Sequence, residues 1–269
     1  MDGELSQEIL TNRLADVHFV SSALYLRSTT STNDVLKRLA ADGAPEGTLV
    51  LADEQTAGRG RLNRRWVAPA GTSLLFSVLF RPPHPTPNAP HPSPLQYTMI
   101  CSLAVRDAAA RLLGIPIGLK WPNDLVHGGR KLGGILTEIS TDAEGTPFVV
   151  VGIGLNVNWD PSAAEFDYPA TSLANAAGHP VERGDFLRAV VEGIARRYAE
   201  LRAGMSPVRE WEAALDTIGQ DVVVELPGER ITGVALGVDA DGALLVRTGE
   251  GTRRIVAGDV RLRSPGAAP

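Results

Sequence analysis

The sequence predicts an α+β protein, a mixed β-sheet domain flanked by helices and followed by a small β-barrel. Three observations point there. Strand-like apolar runs at Thr48–Ala52, Ser73–Phe80 and Phe148–Asn158 are interspersed with helical runs at Leu95–Leu113 and Gly184–Ala203. Near Ile218-Gly219-Gln220 the pattern changes to short β runs separated by turns. The chain has 269 residues, 43% hydrophobic and 21% charged, enough for one large core and a small second one. The expected domains are 1–217 and 218–269.

Taken in order, Leu5–Leu14 reads as a short amphipathic helix, too brief for a helix-turn-helix domain. Ser28-Thr29-Thr30-Ser31-Thr32-Asn33-Asp34 precedes the periodic run Val35–Ala40, stopped by Gly43. Hydroxyl and amide side chains there are N-cap chemistry, but spare hydroxyls beside an exposed helix N-terminus would also hold a small polar ligand. The proline-rich segment from Pro82 to Pro94 reads as an extended surface loop, and its His84 and His91 are only a weak metal signal. Leu95–Leu113, with Met99, Ile100, Leu103, Ala104 and Leu112, reads as a buried helix ended by Gly114 and Pro116. Later, Pro169–Leu173 resembles a helix cap, and 184–203 and 206–215 are amphipathic helices. The final runs, 222–226, 231–235, 243–246 and 253–256, turn at Pro227-Gly228 and Asp241-Gly242. They fit an SH3-like barrel, or a generic interaction module.

Between the first two strand-like runs lies Asp53–Trp66, containing Gly58-Arg59-Gly60-Arg61-Leu62-Asn63-Arg64-Arg65-Trp66. Clustered guanidiniums repel one another unless an anion sits among them, and arginine forks match phosphate and carboxylate oxygens. Glycines let the backbone approach a ligand closely, and an indole offers a flat face for a base. The stretch lacks the Gly-Lys-Ser/Thr ending of a phosphate-binding P-loop and the third glycine of a dinucleotide fingerprint. A loop that closes over a phosphorylated, purine-bearing ligand, a solvated basic loop and a nucleic-acid patch remain as readings.

Two further stretches carry polar groups at strand ends. Gly118–Glu138 reads as a hairpin with a turn at His127-Gly128-Gly129. Pro122 interrupts pairing and leaves Asn123 and Asp124 at a strand end, as a turn or as ligand contacts. Lys131, beside Gly133-Gly134, is either an exposed hairpin lysine or a ligand contact, and a nearby carboxylate could hold Mg²⁺ on a phosphate. In Phe148–Asn158 the glycines leave space, and Asn156 could hydrogen-bond a base.

Composition narrows the class. A net charge of −5 argues against broad nucleic-acid or membrane binding, so the arginine cluster is a local feature. The lone Cys101 sits in an apolar helical run and reads as a core residue of a reducing compartment. The acidic N-terminus has no apolar signal core, and no apolar stretch is long enough to span a bilayer. The expected location is the cytoplasm.

Four motifs in a fixed order then carry a resemblance: Gly58-Arg59-Gly60-Arg61-x-x-Arg64-x-Trp66, Lys120-Trp121-Pro122-Asn123-Asp124, Lys131-Leu132-x-Gly134-Ile135-Leu136 and Gly152-x-Gly154-x-Asn156. Together, over Ser31 to Asn158, they resemble the biotin protein ligases, the biotin–[acetyl-CoA-carboxylase] ligases. The resemblance implies a class II synthetase-like (biotinyl-lipoyl ligase) fold with an SH3-like C-terminal domain. It implies activation of biotin by Mg·ATP to biotinyl-5′-AMP, then transfer to a lysine of a biotin carboxyl carrier domain. By resemblance, Ser31, Thr32, Asn33 and Gln55 contact biotin, and Gly58, Arg59, Gly60 and Arg61 fold over biotin and phosphate. Arg64 reaches the triphosphate, Trp66 stacks on adenine and Asn156 contacts it. Lys131 binds the biotin carboxylate and, with Arg61, stabilises charge at the reacting phosphate; Asp124 anchors Mg²⁺. A second Ser-Thr pair, Ser28-Thr29, competes for the register of Ser31-Thr32.

Two other activities stand beside this one: an acyl-adenylating enzyme using lipoate or another fatty acid, and a non-enzymatic regulator binding biotinyl-AMP and DNA. The arginine loop and the Trp-Pro-Asn-Asp hairpin disfavour the first. The acidic net charge and an expected lack of an N-terminal DNA-binding domain disfavour the second, so no DNA partner is expected. The expected assembly is a monomer or weak homodimer.

Overall fold

In the computed structural model, residues 4–82, 92–163, 166 and 168–262 are described. His84 and His91 therefore lie outside the described residues. Helix α1 (Gln7–Leu14) is capped by Ser6, whose side chain accepts from the Ile9 amide, and packs Leu10 and Leu14 inward. The edge strand β1 (Ser22–Thr29) runs into α2 (Thr32–Ala41), and β2 (Thr48–Gln55) returns parallel to β1. After the arginine loop comes β3 (Ser73–Phe80), buried along its whole length because it lies in mid-sheet with both faces covered.

Helix α3 (Pro94–Leu113) starts with proline in its first turn and ends at Gly114 with φ 66°, in the left-handed region that favours glycine. It buries Met99, Ile100, Cys101, Leu103 and Ala104, but Leu112 is exposed. Leu113 in the same turn packs against the core while Leu112 faces water, so the expectation of a buried Leu112 is corrected. The strands β4 (Gly118–Lys120), β5 (Asp124–His127), β6 (Arg130–Thr141) and β7 (Pro147–Asn156) complete a seven-stranded mixed sheet in the order β1-β2-β3-β7-β6-β5-β4. Gly128 and Gly129, both at positive φ, make the tight β5–β6 turn, so His127 ends the strand instead of entering the turn.

Helices α4 (Leu173–Ala177), α5 (Arg183–Arg202) and α6 (Val208–Ala213) follow, with α5 packed along α3 over the sheet. Ser172 caps α4, as the sequence predicts, and the 206–215 helix is reduced to six residues. One continuous core joins α1, α3 and α5 to the sheet, and α2 covers Val50, Leu79, Phe148 and Val150 on the opposite face. Strands β8 (Asp221–Leu226), β9 (Glu229–Val238), β10 (Leu244–Thr248), β11 (Gly251–Ile255) and β12 (Asp259–Leu262) form a five-stranded antiparallel sheet in the order β11-β10-β9-β8-β12, the SH3-like unit. Trp121 Nε1 donates to Gly242 O at 3.0 Å, which ties this unit to the first sheet. Among the described residues no helix is long and apolar enough to cross a membrane.

Candidate active site

The site is built where β1, β2, β5, β6 and β7 end or bend. Ser31 occupies the α2 N-cap, but its side chain makes no cap bond, leaving a spare hydroxyl in a buried position. Ser28-Thr29 belongs to β1 and does not line the pocket, whereas Ser31 and Thr32 do. Gln55 Oε1 accepts from the Thr32 amide at 2.7 Å. Ser77, fully buried on β3, has its hydroxyl 2.7 Å from Thr32 Oγ1 and 2.6 Å from Asn33 Oδ1. Asn33 Nδ2 in turn donates to Leu136 O at 3.2 Å and to Glu138 Oε2 at 2.7 Å. A Cβ on Gly152 would come within 2.2 Å of Asn33 Oδ1, so only glycine leaves room for this amide. The network fixes three adjacent polar side chains before any ligand arrives.

The arginine loop folds back on itself as a small ribbon. The Trp66 amide donates to Gly58 O at 2.9 Å and the Gly60 amide to Arg64 O at 2.7 Å, around a short 3₁₀ turn at Arg61–Asn63. Arg59 Nη2 pairs with Asp34 Oδ1 at 2.5 Å and Glu138 Oε2 at 3.2 Å. Arg61 Nη1 donates to Asn123 Oδ1 at 3.3 Å. Arg64 pairs with Asp259 of β12. Arg65 donates to Thr56 O at 3.0 Å. The indole of Trp66 lies so close to β7 that a Cβ on Gly154 would sit 2.8 Å from Cε2. Its Nε1 is buried without a partner.

Opposite the loop, a register shift between Leu125 and Val126 puts a bulge in the β5–β6 ladder. A bulge re-aims side chains, and Lys131 ends in the pocket instead of on an exposed hairpin. Its Nζ lies 2.7 Å from Asp124 Oδ1 and 5.0 Å from the centre of the Tyr168 ring. Burial pulls Arg61 and Lys120 below their usual ranges, and the nearby carboxylates Asp124 and Asp259 pull both back. Such partly desolvated cations are stabilised by an incoming anion.

The pocket thus gathers Ser31, Thr32, Asn33, Gln55, Arg59–Arg61, Arg64, Trp66, Asp124 and Lys131 on one surface. Two expected residues lie elsewhere. Gly58 faces the loop itself: a Cβ there would be 2.6 Å from Trp66 O, so glycine is needed to close the ribbon. Asn156 lines a small adjoining cavity with Trp66, Lys131 and Tyr168; its Nδ2 donates to Thr171 O at 3.0 Å and its Oδ1 is buried without a partner.

The free space is only about 80 Å³. Sites for drug-sized ligands run to roughly 300–1,000 Å³, and Arg61, Leu62, Arg64 and Trp66 of the loop line the smaller space here.

Comparison with known proteins decides the family. The Biotin/lipoate A/B protein ligase family model matches residues 25–158, and the Biotin protein ligase C terminal domain model matches 217–263. The chain is 34% identical over 268 residues to the bifunctional ligase/repressor BirA of Bacillus subtilis, covering 97% of this chain and 80% of that protein. The chain belongs to the biotin protein ligases. It is also 37% identical to the biotin–[acetyl-CoA-carboxylase] ligase of Mycobacterium tuberculosis, over 86% of this chain and 85% of the relative. The biotin protein ligase of Aquifex aeolicus, solved with biotin and ATP, superposes with a TM-score of 0.75 at 31% identity, covering 90% and 99% of the two chains.

Beyond the residues given a role from the sequence, the fold places Ser77, Lys120, Tyr168 and Asp259 in or directly behind the pocket. Lys120 stands inside a quoted motif, so its signal was present. Ser77 reads in sequence as one residue of a buried strand. Tyr168 and Asp259 come from segments with no pattern of their own; only the fold brings them in.

Proposed function

We propose that the chain is a biotin–[acetyl-CoA-carboxylase] ligase that activates biotin with ATP and transfers it to a carrier lysine. The observation that carries this is one pocket in which a preset hydroxyl-amide network (Thr32, Asn33, Gln55), with the spare Ser31 hydroxyl beside it, faces a cationic set (Arg61, Arg64, Lys131). The neutral end suits the ureido ring and the cationic end suits a carboxylate meeting a triphosphate.

A biotin carboxylate oxygen attacks the α-phosphorus, the bond to the bridging oxygen breaks, and pyrophosphate leaves. Two anions must first be brought together, and Lys131 and Arg61 supply oriented positive charge for this. Arg64 is assigned to the triphosphate. Trp66 and Asn156 are assigned to adenine, on the strength of an unpaired buried donor and an unpaired buried acceptor bordering one cavity. Gly58, Arg59 and Gly60 are assigned to loop closure, which shields the mixed anhydride from water. The lysine amine of the acceptor then attacks the acyl carbonyl, the C–O bond to phosphate breaks, AMP leaves and the amine loses its proton.

Mg²⁺ is the metal expected with the triphosphate. Asp124, whose carboxylate lines the pocket 2.7 Å from Lys131 Nζ, would be its protein anchor, with phosphate oxygens supplying other ligands. The ion would neutralise phosphate charge.

We take 1–217 as the catalytic domain and 218–269 as the C-terminal domain. A carboxyl carrier domain is the acceptor, the cytoplasm is the place of action and no DNA partner is assigned. Incubation with biotin, Mg·ATP and an apo carrier domain should release pyrophosphate and label one lysine. Labelling with lipoate and none with biotin would select the alternative acyl-adenylating enzyme.

A further inference from the structure

We propose that Tyr168 is a positioning residue for the reaction, its ring holding the Lys131 ammonium in the pocket without neutralising it. The inference rests on the ligase reading and adds a residue that acts through Lys131. Lys131 Nζ lies 5.0 Å from the centre of the Tyr168 ring, within the range of a cation–π contact. Its other close neighbour, Asp124 Oδ1 at 2.7 Å, is a carboxylate. A carboxylate holds an ammonium by cancelling the charge that two reacting anions need. An aromatic face attracts the same ammonium through its quadrupole and leaves the charge whole. The ring therefore keeps hold of Lys131 when an incoming anion takes the place of Asp124.

The backbone fixes this contact. The Lys131 amide donates to Pro169 O at 2.8 Å, and Lys131 O accepts from the Thr171 amide at 2.9 Å. These two bonds form a parallel bridge between Lys131 and Ala170, so residues 168–171 lie along the start of β6. The same segment is anchored from behind, where Asn156 Nδ2 donates to Thr171 O and Ser172 caps α4. Tyr168 and Lys131, distant in the chain, are thus held as one unit. The Lys131 side chain is only 18% exposed, and a cation–π contact is worth more when the cation is desolvated. The Tyr168 ring is itself stacked on Phe166, centres 5.8 Å apart and planes 4° from parallel, which restrains its orientation. Its hydroxyl has no hydrogen-bond partner among the described residues, so the ring is the part the site uses.

At saturating biotin and Mg·ATP, Tyr168→Leu should lower kcat for pyrophosphate release by about fivefold, the scale of one desolvated cation–π contact. Tyr168→Phe keeps the ring and should restore most of the rate. The deciding measurement is a double-mutant cycle: in a Lys131→Ala background, Tyr168→Leu should cost nothing further. Equal losses in the two backgrounds, a Tyr168→Phe variant as slow as Tyr168→Leu, or a raised KM for ATP with kcat unchanged would overturn the proposal. Pyrophosphate release by the wild type in the same assay checks the ligase reading separately.

Discussion

Arg64, in the arginine loop, is forked onto Asp259 at the start of β12, with Nη1 3.1 Å from Oδ1 and Nη2 on Oδ2. The two residues are far apart in sequence, and the pair fastens the loop to the C-terminal unit. Burial alone would raise the Asp259 carboxyl, but the Arg64 fork, the Arg64 charge and Lys120 outweigh it and hold the group below the usual carboxylate range. A depressed carboxyl contributes stability that is complete above its unfolded pKa, about 4, and is lost as pH falls through the folded value. Amide exchange in the loop, corrected for intrinsic rate, should therefore be flat from neutral pH to about pH 4 and rise below it. In Asp259→Asn the loop should be cut several-fold faster by trypsin at neutral pH; equal cutting rates would show that the pair does not hold the loop.

Lys131→Ala should slow biotin-dependent pyrophosphate release by about a hundredfold or more, the scale of losing one oriented charge-stabilising donor. The bulge that aims Lys131 is a backbone feature, so thermal unfolding should still be cooperative. A near-normal rate would remove Lys131 from the chemistry.

Gly154→Ala places a methyl 2.8 Å from the Trp66 ring. The indole has to leave β7, because the backbone beneath it is fixed in mid-sheet. The KM for ATP should rise by about tenfold, the scale of overpacking a close contact, while the affinity for biotin stays near that of the wild type. Equal losses for the two ligands in calorimetric titration would contradict the assignment of Trp66 to the nucleotide end.

Ser77→Ala removes a buried hydroxyl at nearly constant volume and leaves Asn33 Oδ1 without its 2.6 Å partner. Urea unfolding should show a loss of about 1–2 kcal/mol. Biotin affinity should fall more than ATP affinity, since Thr32 and Asn33 lose their common anchor. Unchanged biotin binding would place the network in stability alone.

The sheet's central strands were legible because full burial on both faces leaves an unbroken apolar run, as at Ser73–Phe80. Strand β1 was not: as a half-exposed edge strand, Ser22–Thr29 alternates too weakly to stand out. Strand β12 is only four residues long and was missed for the same reason.

The sequence by itself determined the family motifs, the glycines that permit close approach and the charge of the arginine loop, because these are local properties of residue type and spacing. Only the tertiary structure decided that Lys131 points inward, since that follows from a bulge in the β5–β6 pairing, and that Gly58 serves the loop rather than the pocket. It also decided that Asp259 and Ser77 belong to the site. Their side chains gain meaning only when β12 and β3 are brought against segments distant in the chain, and long-range packing leaves no periodic trace in the residues it joins.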